Sequence, residues 1–114
     1  VVYDPVGDSY SEPCIRATAW DGRYLVIGFA AGEIPKIPIN LALLKGMKIV
    51  GVFWGAWVGM NPEENKKNFE ELFKLHSESK INPEVSDSFS LDDGAKAIAH
   101  LKDRKAKGKV IISI

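Results

Sequence analysis

Residues 23–32 read RYLVIGFAAG: an apolar run from Tyr24 to Ile27 leads directly into Gly28-Phe29-Ala30-Ala31-Gly32. A β-strand that stops at glycines and small residues leaves room for a ligand, as open parallel sheets do at their carboxyl edge. The stretch predicts a parallel sheet and marks where a cofactor would touch it. Upstream, residues 1–4 are apolar and β-branched until Pro5 and Gly7 break the run, which predicts a strand and a turn. Between the two runs, Asp8 to Ser11 supply N-cap candidates and Pro13 suits a first helical turn. A helix is expected to about Ala19, with Gly22 past its end and Ile15, Ala19 and Trp20 on a buried side. With a strand over 23–29, strand, helix and strand form a βαβ unit, parallel and right-handed.

Downstream, Pro35 and Pro38 keep residues 30–38 a loop. Asn40 can cap a short helix over 41–45, closed by Gly46. Residues 48–54 are almost continuously apolar, which predicts a third strand buried on both faces, with Gly51 marking a close backbone approach. Residues 55–60, GAWVGM, are aromatic and glycine-rich. Asn61, Pro62 and Glu64 have the spacing of a capping box, and Phe69, Leu72, Phe73 and His76 share one face of the helix that follows. That helix ends before Asn82-Pro83. Residues 84–89 read as extended. Ser90 and Asp93 open a last helix that would bury Leu91, Ala95, Ile98 and Leu101 and end in Lys102, Arg104, Lys105 and Lys107. Gly108 closes it, and residues 110–114 form a terminal strand that is hard to place in the first sheet.

The totals narrow the function classes. In 114 residues, 46% hydrophobic and 26% charged, Lys+Arg and Asp+Glu balance at 15 each, so no basic footprint favours nucleic acid or an anionic membrane. No apolar run approaches the roughly 20 residues of a membrane span, and no secretory leader pattern opens the chain. A single cysteine, Cys14, excludes an intramolecular disulfide framework and points to a reducing compartment, cytoplasmic or alternatively the mitochondrial matrix. The chain starts in a strand without an initiator Met, which predicts a piece of a longer protein; a processed amino terminus is the alternative.

Few side chains invite chemistry. His76 and His100 have no second ligand at metal spacing, so both read as structural or surface residues. Cys14 reads as a small buried side chain. Asp4 ends a strand, where an acid can hold a ribose hydroxyl, but no Gly-x-Gly-x-x-Gly turn precedes it, so capping of the Pro5–Gly7 turn is the better reading. Phe53, Trp54 and Trp57 fit a ring-binding pocket, or equally an interface or core. The basic cluster near residues 102–109 fits a phosphate contact or, more commonly, a solvated helix end.

Together VVYDPVG, WDGRYLVIGFAAG, IPINLALLKGMKIVGVFWG and RKAKGKVIISI resemble the quinone oxidoreductases, zinc-independent members of the medium-chain dehydrogenase/reductase superfamily. The G-F-A-x-G turn, the N-L-x-L-L-K-G helix and the closing x-G-K-V-I strand match in order over the whole chain, which would be the carboxy-terminal third of a full-length member. The resemblance implies an α/β fold: the carboxy-terminal half of a Rossmann-type parallel sheet with flanking helices over residues 1–82. Residues 83–114 would return to a GroES-like catalytic domain. It implies hydride transfer from NADPH to a quinone, with enoyl or alkenal reduction and a non-enzymatic, crystallin-like structural role as alternatives. The residues that choose between NADPH and NADH would lie upstream. By position, Pro5 and Val6 would approach the nicotinamide ribose, and Ile27, Gly28, Phe29, Ala30 and Ala31 would pack near the nicotinamide. Val52, Phe53 and Trp54 would line its substrate side, and Arg104 would reach the cofactor. The resemblance implies no catalytic acid or base here and no metal. The expected partners are a quinone or enone and a second copy of the protein, paired through the edge strand from Lys48 to Phe53; nucleic acid and membrane are not expected. The isolated chain is expected to be inactive.

Overall fold

The computed structural model describes residues 1–114. By packing, the chain forms two compact units, Val1–Pro62 and Glu63–Ile114. The sequence division at 82/83 follows membership of a larger domain instead, so it counts residues 63–82 with the first sheet.

In the first unit, β1 (Val2–Asp4), β2 (Arg23–Val26) and β3 (Lys48–Gly51) form a three-stranded sheet in the order β1-β2-β3. All pairs are parallel: Val2 lies beside Tyr24, and Tyr24 beside Ile49. Helices α1 (Ser11–Ala17) and α2 (Asn40–Lys45) connect them. Because strand side chains alternate between faces, Val2, Tyr24 and Val26 fall on one side. There they meet Ile15 of α1, Leu41 of α2 and Met47 in the core. The expected βαβ unit is present and α2 closes at Gly46, whose φ is 57°, a left-handed cap that glycine supplies at little cost.

Several boundaries differ from those read in the sequence. α1 stops at Ala17 because Thr18 turns extended, and its N–H and hydroxyl both return to the Cys14 carbonyl at 3.0 and 2.9 Å. Trp20 consequently lies outside the helix and is exposed. β2 ends at Val26, not Phe29: the next two amides, Ile27 and Gly28, both donate to the Asp4 carbonyl, so the ladder gives way to a turn. β3 ends at Gly51, and Trp54 begins α3 (Trp54–Met60), whose first turn is closed by the Trp57 N–H to the Phe53 carbonyl. Local hydrogen bonding there overrides the low helix propensity of Gly55 and Gly59. Nor is β3 buried on both faces: as an outer strand it leaves Ile49 and Val50 exposed.

In the second unit, α4 (Pro62–Ser77) precedes a compact strand–helix–strand. β4 (Val85–Ser90) and β5 (Lys109–Ser113) pair in parallel as a separate two-stranded sheet, joined through α5 (Gly94–Lys102). The capping box does not form. The Asn61 amide donates back to the Trp57 carbonyl at 3.0 Å, and Glu64 pairs with Lys67 at 2.7 Å. A 3-10 turn, Leu91–Asp93, precedes α5, and Ser90 makes no side-chain cap. Ala97 is the buried residue of α5, whereas Leu91, Ile98 and Leu101 are exposed.

Candidate functional site

A single carboxylate ties the end of β1 to the turn after it, to α1 and to β2. Asp4, the last residue of β1, is 6% exposed. Its Oδ1 accepts the backbone N–H groups of Val6 (2.8 Å) and Gly7 (2.9 Å). Its Oδ2 accepts the Ser11 hydroxyl at 3.0 Å and the Tyr24 hydroxyl. Burial pushes the Asp4 carboxyl up, but the bonds from Tyr24, Gly7, Val6 and Ser11 together outweigh it and leave the group below its usual range. Tyr24 is raised, first by burial and then by its bond to Asp4. With both oxygens engaged, Asp4 anchors the turn and the first helix. The ribose-binding alternative has no free acceptor to use.

The anchored turn then organises the loop after β2. Ala30 N–H donates to the Pro5 carbonyl at 3.1 Å and Ala31 N–H to the Val6 carbonyl at 3.0 Å. Residues 27–31 and 4–6 therefore run together past the end of the sheet. Gly7 has φ 73°, and a Cβ there would stand 2.8 Å from Phe29 Cδ1 and 3.3 Å from Phe29 Cα; this close approach requires glycine. Gly28 has no such constraint, since a Cβ would meet the Pro5 carbonyl at an ordinary 3.5 Å. Gly32, with φ 117°, serves a turn closed by its N–H to the Phe29 carbonyl at 2.9 Å.

Beside this paired segment lies a cavity of about 470 Å³ lined by Tyr3, Ile27, Val52, Phe53, Trp54 and Gly55. Of the residues singled out in the sequence, Ile27, Val52, Phe53 and Trp54 meet here. Pro5, Val6, Gly28, Phe29, Ala30 and Ala31 form the adjoining turn and are not part of this lining. Val52 is fixed by its N–H to the Val26 carbonyl at 3.0 Å. The Phe53 ring is 81% exposed. Arg104 belongs to the second unit, in the turn after α5, with φ 57° and its N–H on the Leu101 carbonyl at 3.0 Å. Tyr3 and Gly55 were not singled out. Alternation could have found Tyr3: Val2 packs against the core and Asp4 is buried, so Tyr3 projects to the opposite face. A larger groove of about 610 Å³, between α1 and residues 33–37, has mixed charge, with Arg16 already bound to Glu12 at 2.6 Å.

No three His, Cys, Asp or Glu side chains come close enough to hold a metal ion. The His76 Nδ1 lies 3.2 Å from the Ile81 carbonyl, and His100 lies against Asp87. No helix is long and apolar enough to cross a membrane.

The sequence profile of the zinc-binding dehydrogenases matches residues 1–112. A quinone oxidoreductase-like protein 2 homolog of Nematostella vectensis is 34% identical over 99% of the chain and 31% of its own length. An acryloyl-coenzyme A reductase of Sulfurisphaera tokodaii is 27% identical over 98% of the chain and 31% of its own length. Among solved structures, a Bacillus thuringiensis protein assigned as an NADPH:quinone reductase superposes with a TM-score of 0.74 at 20% identity. It covers 97% of the chain and 34% of that structure. The chain thus spans about a third of the length of the proteins it matches.

Proposed function

The chain belongs to the zinc-binding dehydrogenase family, and from that premise we propose that it supplies the nicotinamide-end wall of the dinucleotide site of an NADPH-dependent quinone oxidoreductase. The observation that carries the proposal is the convergence of three strand ends on one apolar cavity, with Ile27, Val52, Phe53 and Trp54 in its lining. Ligands of open α/β sheets bind outside the carboxyl ends of the strands. The lining suits a flat, weakly polar ring: Ile27 and Val52 exclude water, and the aromatic rings of Phe53 and Trp54 offer stacking surfaces. The bound cofactor would supply the hydride.

The chain's own task is placement. Asp4 fixes the turn at Pro5 and Val6, and that turn fixes Ile27 to Ala31 through the Ala30 and Ala31 amides. Phosphate-binding parts are a different matter. The sequence contains no Gly-x-Gly-x-x-Gly turn, so the pyrophosphate would be held by residues outside these 114. Arg104 is proposed as a cofactor contact from the second unit. The side chains present do not assemble a zinc site. We place the intact protein in the cytoplasm and pair it through the β3 edge, an unpaired row of backbone groups flanked by exposed apolar side chains.

A second reading, reduction of an activated enone or enoyl thioester, draws on the likeness to the acryloyl-coenzyme A reductase. Titration of the labelled chain with NADPH separates site from substrate. Amide shifts at residues 6, 27–31, 52–55 and 104 are expected; shifts confined to α4 or β5 would overturn the assignment. With NADPH and a quinone the chain alone should show no turnover. Rates on the order of 10 per second, ordinary for enzymes, would contradict the view that half the site lies elsewhere.

A further inference from the structure

The face of the first sheet opposite its core carries one polar group that nothing in the chain uses. Val2, Tyr24 and Val26 pack on the core side. Tyr3 therefore stands on the other, beside Leu25 of β2, which in turn lies beside Val50 of β3. Because β1 ends at Asp4, Tyr3 is its last residue on that face. It lines the same cavity as Ile27, Val52, Phe53, Trp54 and Gly55. The chain has three tyrosines. The Tyr24 hydroxyl is taken by Asp4, and Tyr10 lies outside the cavity. The Tyr3 hydroxyl makes no hydrogen bond within the chain, and the residue is 67% exposed.

The rest of the lining gives that hydroxyl its meaning. Ile27, Val52, Phe53 and Gly55 bring no polar side-chain atom, and the Trp54 indole can only donate. Two backbone groups there are already used: the Val52 N–H by the Val26 carbonyl, and the Phe53 carbonyl by the Trp57 N–H. Tyr3 is the one side chain of the lining able both to donate and to accept. An apolar slot holds a flat ring by its faces, and a single polar group then fixes the ring's orientation. We propose that Tyr3 is a specificity-determining residue of this cavity, its hydroxyl donating to a carbonyl oxygen carried by the bound ring. The matching chemistry is a planar ring with a carbonyl at its edge, which a quinone and the carboxamide of a nicotinamide both present. The inference rests on the cavity being the ring site and adds what the site selects. A carbonyl oxygen facing Tyr3 replaces the hydrogen bond it gives up with water, whereas facing the apolar wall it would lose that bond outright.

Tyr3→Phe removes the oxygen and keeps the ring, at an exposed position on which the core does not depend. Wild type and variant are titrated with two ligands, followed by amide shifts. One is tetramethyl-1,4-benzoquinone, whose ring has no open position for the Cys14 thiol to attack; the other is reduced nicotinamide mononucleotide. Tyr3→Phe should bind at least one of them about three- to tenfold more weakly, the range of one neutral hydrogen bond. Tyr10→Phe should bind both as wild type does. Weakening for the quinone alone places the hydroxyl at the substrate ring, and weakening for the nucleotide alone places it at the carboxamide. The infrared carbonyl stretch of the affected ligand should lie at lower frequency on wild type than on Tyr3→Phe, a signature that a merely structural tyrosine would not produce. Unchanged affinity of Tyr3→Phe for both ligands, with shifts still at residues 27 and 52–55, overturns the role of Tyr3 and leaves the cavity as the ring site. Wild type showing no shifts at those residues with either ligand overturns both.

Discussion

The two units solve the same problem, tying a strand to a helix and a turn, with a carboxylate apiece, and the solutions differ in burial. In the first, Asp4 is almost fully enclosed, accepts four hydrogen bonds and sits against a core of Ile15, Tyr24, Leu41 and Met47. In the second, Asp87 is about one-third exposed and Ala97 is the buried apolar residue. Buried polar groups with every partner in place specify a single geometry, and the low dielectric around them strengthens each bond. A carboxylate near solvent exchanges its partners with water and anchors less. Asp4 therefore fixes its surroundings more firmly than Asp87 does.

Breaking the first carboxylate should have the largest effect. Asp4→Ala strands the Val6 and Gly7 amides and the Ser11 and Tyr24 hydroxyls at a buried position. A loss of about 3 kcal/mol or more is expected from donors left without acceptors, read as a lower urea midpoint. Asp87→Asn should lower the midpoint much less. Equal losses would show that burial does not distinguish the two units.

Next comes the tightest backbone approach in the second unit. A Cβ on Gly108 would stand 2.5 Å from the Glu84 carbonyl oxygen and 3.1 Å from its carbon. Backbone cannot step aside as a side-chain tip can, so Gly108→Ala should cost about 1 to 3 kcal/mol. It should also weaken the pairing of β5 with β4, visible as faster exchange at Lys109. Normal stability of this variant would mean that the second unit is loose enough to absorb the clash, sharpening the contrast with the first.

Tyr24→Phe isolates one bond of the Asp4 cluster, at about 1.5 kcal/mol for a hydrogen bond to a charged group. It also carries a pH signature. The Asp4 carboxyl is depressed in the folded state, so its contribution is present above the unfolded value of 3.8 and is lost only as pH falls through the lower folded value. Removing the Tyr24 hydroxyl brings the folded value back toward the unfolded one. The acid-unfolding midpoint of Tyr24→Phe should therefore move to higher pH, whereas a midpoint unchanged from wild type would remove Tyr24 from the cluster's electrostatics.

These residues also show what could be read without coordinates. The parallel βαβ unit was legible because strand ends, proline and glycine constrain the backbone locally. Asp4 as a turn cap was legible for the same reason. Its bond to Tyr24, twenty residues away, was not, because nothing local announces a tertiary contact. The start of α3 at Trp54 was misread because an aromatic run with two glycines has no helical signature; the Phe53 carbonyl decides it. The apolar face of α5 was misread in the opposite sense. Ile98 and Leu101 have core periodicity but no core beneath them in this unit. Of the candidate site, the strand end before Gly28 marked Ile27 and the aromatic rings marked Phe53 and Trp54, Val52 came only with the family resemblance, and Tyr3 required knowing which face of β1 the core occupies.

The smallest expected effect tests how helix ends are closed in the first unit. α1 ends without glycine at its cap: Thr18 is extended, and the orphan carbonyls of the last turn need donors. Lys45, at the end of α2, provides them, with Nζ 2.6 Å from the Thr18 carbonyl and also bonded to the Arg16 carbonyl. The ammonium thereby satisfies backbone acceptors and sits at the negative end of the α1 dipole. The Asp21 N–H returns the link by donating to the Lys45 carbonyl at 3.0 Å, so the two connecting helices are stapled together beneath the sheet. Lys45→Met keeps the aliphatic stem and removes the donors. It should lower stability by about 1 kcal/mol, with faster exchange at the Thr18 amide and no change at Gly108 in the second unit. A simultaneous change at Gly108 would show that the units are coupled, and the contrast between them would fail.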